Sequence, residues 1–286
     1  MLHSTISKHL IFNMDTRIDF TTAKKFDQLE LVDWKTKYSD FKFYVRKGLN
    51  EVKYNVGTNV SKSPNSGEYI KPFVSERMGA PLNVNHSLNR EDTWLDIGGH
   101  LGFFAIRMAK QFPKIKKIIS YEALPHNVSF ALENVKVNSV EGTCEFVQKA
   151  IVPNHEPDIS FFISSDSGKH SILPVKGREV ITVPAININD AITSSGATAI
   201  KMDVEGAEYE LIKSVKDWSP IRLVIVEWHF NSMRSLTKDK NYRVTLYQEI
   251  MSIFKNAGFD IIRGLPNVEY GKNFITHFIA MKSDEK

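Results

Sequence analysis

Acidic residues cluster around a glycine in the octapeptide Lys201-Met202-Asp203-Val204-Glu205-Gly206-Ala207-Glu208, which follows a short apolar run. An apolar run that ends in acids predicts a buried strand with carboxylates at the edge of a sheet. Carboxylates in that position can accept a proton from a substrate or bind a hard cation. The octapeptide is therefore the first candidate for a site of chemistry.

A second group of polar residues ends the next apolar run, where Glu227 and His229 flank a tryptophan. If the two runs form neighbouring parallel strands, Asp203 and Glu227 lie side by side at one edge of the sheet. His229 is the natural general base, because an unperturbed imidazole has a pKa of about 6.5. The candidate catalytic residues are Asp203, His229, Glu205 and Glu227.

The same carboxylates predict a cation site, with Asp203 and Glu227 as candidate ligands of Mg²⁺ or Mn²⁺. Two carboxylates without a clear third ligand leave a metal-free site equally open. His229 has a structural alternative as a buried, hydrogen-bonded histidine. Glu208 is assigned to the start of a helix, where the macrodipole favours an acid.

A glycine-rich turn lies about a hundred residues upstream and reads Asp96-Ile97-Gly98-Gly99-His100-Leu101-Gly102. Gly98 and Gly102 allow the backbone to come close to a ligand, in front of a helix that begins with free N–H groups. The turn differs from the Gly-x-Gly-x-x-Gly pattern of dinucleotide sites. Asp96 suits a ligand with an ammonium group rather than a phosphate, and S-adenosylmethionine has this chemistry.

The ends of the next two strands complete the predicted cofactor site. Glu122 ends a strand where an acid accepts hydrogen bonds from ribose hydroxyls. Gln148 and Ala150, near the end of the following strand, are candidates to border the adenine. The alternative for Asp96 and Glu122 is that both only cap turns. The candidate cofactor-binding residues are Asp96, Gly98, Gly102, Glu122, Gln148 and Ala150.

Strands and helices alternate regularly from Thr93 onwards. This alternation predicts right-handed crossovers and a mostly parallel, Rossmann-like sheet of seven strands with helices on both faces. A closing hairpin reverses the last strand, and residues 158–184 form a β insertion. The predicted strands cover 93–97, 117–122, 144–151, 198–202, 222–226, 260–263 and 274–281, and the helices cover 103–112, 125–138, 207–215 and 242–256.

Residues 1–60 are predicted to be a separate N-terminal extension, a small α+β element, in front of a catalytic domain at 61–286. A helix is expected near 22–34. Alternation of Phe41, Phe43 and Val45 with polar residues then predicts a half-buried strand, and 52–56 its return strand. The catalytic domain is expected to open with a helix at 69–78.

Composition bounds the function classes. The chain has 286 residues, a formal net charge of +4 and one cysteine, Cys144. One cysteine excludes an intrachain disulfide, and we expect a reducing, cytoplasmic location with a buried, inert thiol. No apolar run approaches the roughly 18 residues of a transmembrane helix. The modest charge does not indicate a nucleic-acid partner.

These motifs together resemble the FkbM family of S-adenosylmethionine-dependent methyltransferases. The resemblance covers roughly residues 68–286, and its most specific part is the Lys-x-Asp-x-Glu-Gly-x-Glu pattern. It implies a Rossmann-like class I methyltransferase fold and O-methylation of a hydroxyl on a sugar, glycan or natural product. Whether the protein works alone or in association with glycosyltransferases is left open by the sequence. The matching segments are 96–102, Glu122–Pro125 with Leu132, Asn134 and Asn138, 201–208 and Glu227–His229.

The chain departs from the family at Gly99-His100, where Ala-Asn is usual. The backbone role of the turn should survive that change, whereas any contact from the asparagine side chain is altered.

The sequence disfavours three other function classes. A non-catalytic binding protein on the same scaffold would have no need of intact acids. A nicotinamide-dependent oxidoreductase would be expected to carry the Gly-x-Gly-x-x-Gly turn. A nucleic-acid methyltransferase would need a base-flipping pocket and a basic face, and the sequence indicates neither.

Overall fold

The computed structural model describes residues 29–35, 40–46, 88–164, 170–174, 176–229, 240–263 and 275–282. The predicted return strand at 52–56 and the predicted helix at 69–78 lie outside the described residues.

The described part of the chain contains twelve strands and five helices. The strands are β1 (Leu29–Lys35), β2 (Asp40–Arg46), β3 (Thr93–Ile97), β4 (Lys117–Glu122), β5 (Cys144–Gln148), β6 (Ala150–Val152), β7 (Asp158–Ile163), β8 (Glu179–Asn187), β9 (Ala199–Met202), β10 (Leu223–His229), β11 (Phe259–Arg263) and β12 (Ile275–Lys282). The helices are α1 (Phe103–Gln111), α2 (Pro125–Val137), α3 (Ile188–Ser195), α4 (Glu208–Ser214) and α5 (Lys240–Asn256).

Seven strands form the central sheet in the order β11-β12-β10-β9-β3-β4-β5. Strand β12 runs antiparallel to both of its neighbours, whereas the β10-β9, β9-β3, β3-β4 and β4-β5 pairs are parallel. This confirms the predicted α/β fold with one reversed strand. The strand order reverses between β3 and β9, where the carboxyl ends of both strands leave a crevice for ligands.

Two apolar clusters cover the two faces of the sheet, because side chains alternate along each strand. Leu95 packs in a cluster with Leu211 of α4 and Phe254 of α5. Its neighbour Trp94 packs in the other cluster, with Ile106 of α1 and Phe130 of α2. Helices therefore lie on both faces, as predicted.

Helix α3 was missed by the sequence reasoning. Its N-cap residue Asn187 accepts a hydrogen bond from the Asn189 main-chain N–H (2.9 Å), and it ends at Gly196 with φ +61°. Asparagine before and glycine after an eight-residue segment are the expected helix boundary signals. The segment is short and follows a long strand, so its periodicity alone did not separate it from a loop.

The predicted β insertion forms a three-stranded sheet of its own, in the order β6-β8-β7. The single strand expected at 144–151 is divided, because β5 ends at Gln148 in the central sheet and β6 pairs with β8. Strands β7 and β8 pair antiparallel, from Asp158 opposite Pro184 to Ile163 opposite Glu179. The insertion thus leaves the central sheet directly after β5.

The described part of the N-terminal extension is a hairpin, in which β1 and β2 pair from Leu29 opposite Arg46 to Lys35 opposite Asp40. The helix predicted near 22–34 is therefore wrong over its described residues, because cross-strand pairing overrides local helix propensity. The half-buried strand at 41–45 is confirmed. Phe43 and Val45 are fully buried in the cluster that contains Trp94.

Two asparagines hold this hairpin against the C-terminal end of α2, where Asn134 lies in the last turn and Asn138 is the C-cap residue. The Asn134 side chain accepts from the Tyr44 N–H and donates to the Tyr44 carbonyl oxygen and to that of Leu101. Asn138 likewise accepts from the Lys42 N–H and donates to the Lys42 carbonyl oxygen. The amides lie one helical turn apart, and they reach two strand residues that face the same way.

Candidate active site

The glycine turn and the acidic octapeptide are in direct contact. Gly98 has φ +86°, and a Cβ atom at this position would lie 1.9 Å from the main-chain oxygen of Asp203. The Gly98 and Gly99 N–H groups both donate to the Tyr121 carbonyl oxygen, each at 3.0 Å. Only glycine fits at 98, because any side chain would collide with the loop after β9.

His100 and Gly102 shape the rest of the turn through their backbone. His100 has φ +46° and donates its N–H to Glu122 Oε2 at 2.9 Å. Asparagine and histidine are the residues that tolerate this conformation best after glycine, so the departure from the family pattern keeps the backbone geometry. Gly102, with φ +86°, is the N-cap of α1 and has no side-chain cap.

Asp96 faces the interior of the protein. It is fully buried, its Oδ2 accepts from the Ser120 hydroxyl at 2.7 Å, and its Oδ1 lies 3.1 Å from Lys201 Nζ. The expectation that its carboxylate meets the ammonium of a cofactor stays a prediction, and the contacts that the structure shows for this carboxylate are to Ser120 and Lys201. Strand pairing explains the contact with Lys201, since Asp96 on β3 lies opposite Lys201 on β9.

Lys201 is a site residue to which sequence reasoning gave no role. Its Nζ donates to the Gly98 carbonyl oxygen at 2.7 Å and lies 3.7 Å from Asp203 Oδ2. Burial lowers the pKa of Lys201, but the negative charges of Asp96 and Asp203 raise it by more than burial lowers it. The pKa of Lys201 therefore lies above its ordinary value. The available signal was a lysine inside an apolar strand, which requires a buried acidic partner.

The predicted ribose and adenine residues occupy neighbouring strand ends. Glu122 lies opposite Gln148 in the β4-β5 register. Glu122 Oε1 accepts from the Leu124 N–H at 2.9 Å, and the Gln148 side chain donates to the Ala123 carbonyl oxygen at 2.9 Å. Burial raises the pKa of Glu122, although the hydrogen bonds that it accepts from the Leu124 and His100 N–H groups oppose the shift. Ala150 is not beside them in the sheet but begins β6 in the insertion.

The four candidate catalytic residues do come together. His229 Nε2 lies 3.6 Å from Glu205 Oε1, 3.6 Å from Glu227 Oε1 and 3.9 Å from Asp203 Oδ1. His229 is 3% exposed and ends β10, next to β9, which leads to Asp203. The predicted adjacency of these strand ends is confirmed, and it places the imidazole among three carboxylates.

Glu208 does more than begin α4. Its Oε1 accepts from the Gly206 N–H at 3.1 Å and lies 2.7 Å from His229 Nδ1. Glu208 is fully buried, as expected for a residue that caps the loop from inside. The helix-start role is confirmed, but the contact that fixes the His229 ring was missed because it depends on tertiary packing.

The carboxylates around His229 change its titration. Burial lowers the pKa of His229, but the acids Glu208, Glu205 and Asp203 raise it by more than burial lowers it. The pKa of His229 therefore lies well above 6.5. Burial together with neighbouring acids raises the pKa of Glu205 to about 8, against the lowering effect of His229. The acids around His229 therefore favour a positive charge at Nε2, and the expectation that its pKa is the ordinary one of about 6.5 is corrected.

Three of these residues meet the geometry of a cation site. One ligand atom each from Asp203, Glu205 and His229 lies within 4.8 Å of the other two. Among the residues that the structure describes, Glu227 is not part of this group, although it also approaches His229. The predicted ligand pair of Asp203 and Glu227 stays a prediction, since both carboxylates approach His229 Nε2.

The sequence matches a known family over the region that forms this site. A family model described as the methyltransferase FkbM domain matches residues 96–261, which is more than half of the chain. The matched region begins in the glycine turn and ends in β11. No curated protein sequence matches the chain.

Solved structures with similar folds share little sequence with the chain. Precorrin-6y C5,15-methyltransferase from Geobacter metallireducens GS-15 is 12% identical, with a TM-score of 0.37, and the match covers 70% of this chain and 86% of that one. The fibrillarin pre-rRNA processing protein of Methanococcus jannaschii is 14% identical, with a TM-score of 0.41 and 68% of each chain covered. These scores are too low to bear on the acceptor.

The described ranges contain the five helices α1 to α5. None of them, within the described ranges, is both long and apolar enough to cross a bilayer.

Proposed function

The chain belongs to the FkbM family of S-adenosylmethionine-dependent methyltransferases, and we propose that it methylates a hydroxyl group of a sugar, a glycan or a related small molecule. One observation carries the proposal. The acids at 203, 205 and 227 surround His229 at 3.6–3.9 Å, directly beside the glycine turn. An amine acceptor can lose its proton to solvent, whereas a hydroxyl benefits from a proton acceptor held in place.

The chain's own residues fit the cofactor. The backbone of Gly98 to Gly102 offers a turn free of side-chain bulk, and Glu122 supplies acceptors for ribose hydroxyls from the end of β4. Gln148 lies next to Glu122 and can border the adenine. When bound, S-adenosylmethionine would supply a methyl group on a cationic sulfur, and this sulfur would become a neutral thioether on transfer of the methyl group to the acceptor oxygen.

The acceptor hydroxyl meets the more exposed carboxylates of the cluster. The side chains of Asp203 and Glu205 are 16% and 22% exposed, whereas that of His229 is 3% exposed. We assign Asp203 as the group that accepts the hydroxyl proton as the new O–C bond forms. His229 offsets the negative charge of the cluster and, at 3.9 Å from Asp203 Oδ1, orients this carboxylate, whereas Glu205 adds to the polar surroundings of the acceptor.

The charge of the cluster favours an acceptor without phosphates near the reacting hydroxyl. Three carboxylates and the fully buried Glu208 all lie within 2.7–3.9 Å of the His229 ring nitrogens. A phosphodiester placed there would be repelled, whereas sugar hydroxyls can donate hydrogen bonds to these oxygens. This supports a polyol acceptor over a nucleic acid. The proposal includes a cytoplasmic location, and an association with glycosyltransferases would fit a glycan acceptor.

The test combines cofactor binding with product detection. Calorimetry with S-adenosylmethionine should give binding, and a panel of sugars and oligosaccharides with methyl-labelled cofactor should give a product heavier by one methyl group. Asp203→Asn should abolish turnover and largely keep cofactor binding. Glu210→Gln, an exposed acid on α4, serves as the control. No cofactor binding at millimolar concentration, or normal turnover by Asp203→Asn, would contradict the proposal.

A further inference from the structure

We infer that Asp203, Glu205 and His229 bind one divalent transition-metal ion, and that Glu208 positions the imidazole from behind. The inference concerns the binding of an ion by the protein alone, and it does not depend on the acceptor proposed above. It replaces the pair of Asp203 and Glu227 that the sequence predicts as ligands.

The tautomer of His229 leads to this site. Nδ1 lies 2.7 Å from Glu208 Oε1, so a neutral imidazole donates its one N–H to Glu208 and carries its lone pair on Nε2. Nε2 is buried and makes no hydrogen bond to any described residue. Its lone pair then points toward carboxylate oxygens. A lone pair that faces carboxylates is unfavourable unless a cation, either a proton or a metal ion, lies between them.

The distances favour a metal ion over a proton. The oxygens of Glu205 and Asp203 lie 3.6 and 3.9 Å from Nε2, which is too long for a hydrogen bond. Ligand atoms that share an ion at about 2.1 Å are roughly 3.0–3.4 Å apart in octahedral or tetrahedral geometry. The two distances to Nε2 must shorten by less than about 1 Å, and the three ligand atoms already lie within 4.8 Å of one another, so side-chain movements suffice to close them around an ion.

The buried neighbour supports the same assignment. A histidine that binds a metal typically donates its other ring N–H to a carboxylate, which fixes the ring and strengthens the ligand. Glu208 meets this requirement, and its own Oε1 also accepts the Gly206 N–H. The ring nitrogen that faces the site is therefore held in place before any ion arrives.

The donor set selects the ion. Mg²⁺ prefers an octahedron of oxygen ligands and retains several waters, whereas imidazole suits later transition metals. One nitrogen and two carboxylates suit Mn²⁺ better than Mg²⁺, and Fe²⁺ and Zn²⁺ share this preference. Mn²⁺ is therefore the probe of choice, with Mg²⁺ as the comparison.

Glu205 and Glu227 provide a matched pair for the test. Both place an oxygen 3.6 Å from Nε2, but only Glu205 belongs to the group that includes Asp203. Chelator-treated, dialysed protein is titrated with MnCl₂ and followed by loss of the free Mn²⁺ paramagnetic resonance signal, without cofactor or acceptor. We expect one site per chain. Glu205→Gln should weaken it by more than about 100-fold, and Glu227→Gln by less than about tenfold.

Further variants separate ligand loss from misfolding. Glu208→Gln keeps all three ligands and should weaken Mn²⁺ binding about 10–100-fold, the range for an outer-shell partner. Glu210→Gln should bind as the wild type. Circular dichroism on each variant verifies the fold, and Mg²⁺ in hundredfold excess should not displace Mn²⁺.

The inference is overturned if native wild-type protein binds no Mn²⁺ up to millimolar concentration, which would leave a proton between the carboxylates. Equal effects of Glu205→Gln and Glu227→Gln would also overturn the assigned ligand set. Methyl transfer that persists in the presence of a chelator would not rescue either result, because ion binding is measured directly.

Discussion

Ser171 donates its hydroxyl hydrogen bond to the main-chain carbonyl oxygen of Glu205, with 3.1 Å between the two oxygens. Ser171 is 4% exposed and forms an isolated bridge with Phe162 on β7, so it belongs to the insertion and not to the central sheet. Glu205 has φ +56°, a conformation that costs energy for a residue other than glycine. The insertion thus holds the carboxylate loop in a conformation that it would not adopt freely.

Replacement of Ser171 tests this link. Ser171→Ala should reduce turnover and Mn²⁺ binding about tenfold each, because the Glu205 loop loses its hydrogen bond to the insertion. The free energy of unfolding should fall by only about 1 kcal/mol. Ser129→Ala, which also loses one hydroxyl bond to a main-chain oxygen, is the control. Equal loss of activity in both variants would show that the Ser171 bond has no special role.

The buried ion pair of Lys201 and Asp96 should be worth measuring in a double-mutant cycle. Lys201→Met leaves Asp96 as an unpaired buried charge, and we expect a loss of about 3–5 kcal/mol in the free energy of unfolding. Lys201→Met combined with Asp96→Asn should recover part of that loss, because the orphaned charge is removed. Urea unfolding followed by circular dichroism measures all four proteins. Additive effects of the two substitutions would contradict the pairing.

Cys144 should resist alkylation in the folded protein. Burial, and secondarily Asp96, raises the pKa of the Cys144 thiol to about 12, so the thiolate fraction at pH 8 is negligible. Because the pKa is raised, reactivity should appear only as the pH approaches 12 or as the chain unfolds. Iodoacetamide labelling detected by mass spectrometry should be slow at pH 8 in buffer and fast in concentrated urea. Fast labelling of the native protein would contradict the assignment.

The β1-β2 hairpin should unfold together with the central sheet. Phe43 is fully buried in the cluster that contains Trp94, and its ring centroid lies 4.6 Å from that of Phe103, so Phe43→Ala should destabilise the main unfolding transition by about 3–5 kcal/mol. Leu31, on the partner strand, is 37% exposed, and Leu31→Ala should change little. Thermal unfolding of both variants distinguishes an integral hairpin from a separate extension. A Phe43→Ala protein with an unchanged main transition would favour the separate extension.

The periodic part of the fold was predictable from the sequence, and the parts that depend on distant contacts were not. From Thr93 onward, apolar runs and glycine or proline boundaries placed every strand of the central sheet to within a few residues. Strand β1 was misread as helix because its pairing with β2 leaves no local signal stronger than helix propensity. Helix α3 was missed because it is short.

In the site, too, the features that follow from strand order were predictable, whereas those that depend on distant contacts were not. Convergence of Asp203, Glu205, Glu227 and His229 follows from the rule that parallel strands end at one edge. The inward orientation of Asp96 could not be predicted, since it depends on which strand supplies a cationic neighbour. The high pKa of His229 likewise depends on how closely the acids approach, which spacing along the chain does not determine.

The amides of Asn134 and Asn138 have a consequence for self-association. An edge strand with free donors and acceptors can add a strand from another molecule, which leads to fibrous aggregates. On β2, the N–H and carbonyl groups of Lys42 and Tyr44 are already bonded to these side chains. The two side chains at the C-terminal end of α2 therefore hinder the addition of a strand from another molecule at that edge, and they also hold the hairpin in place.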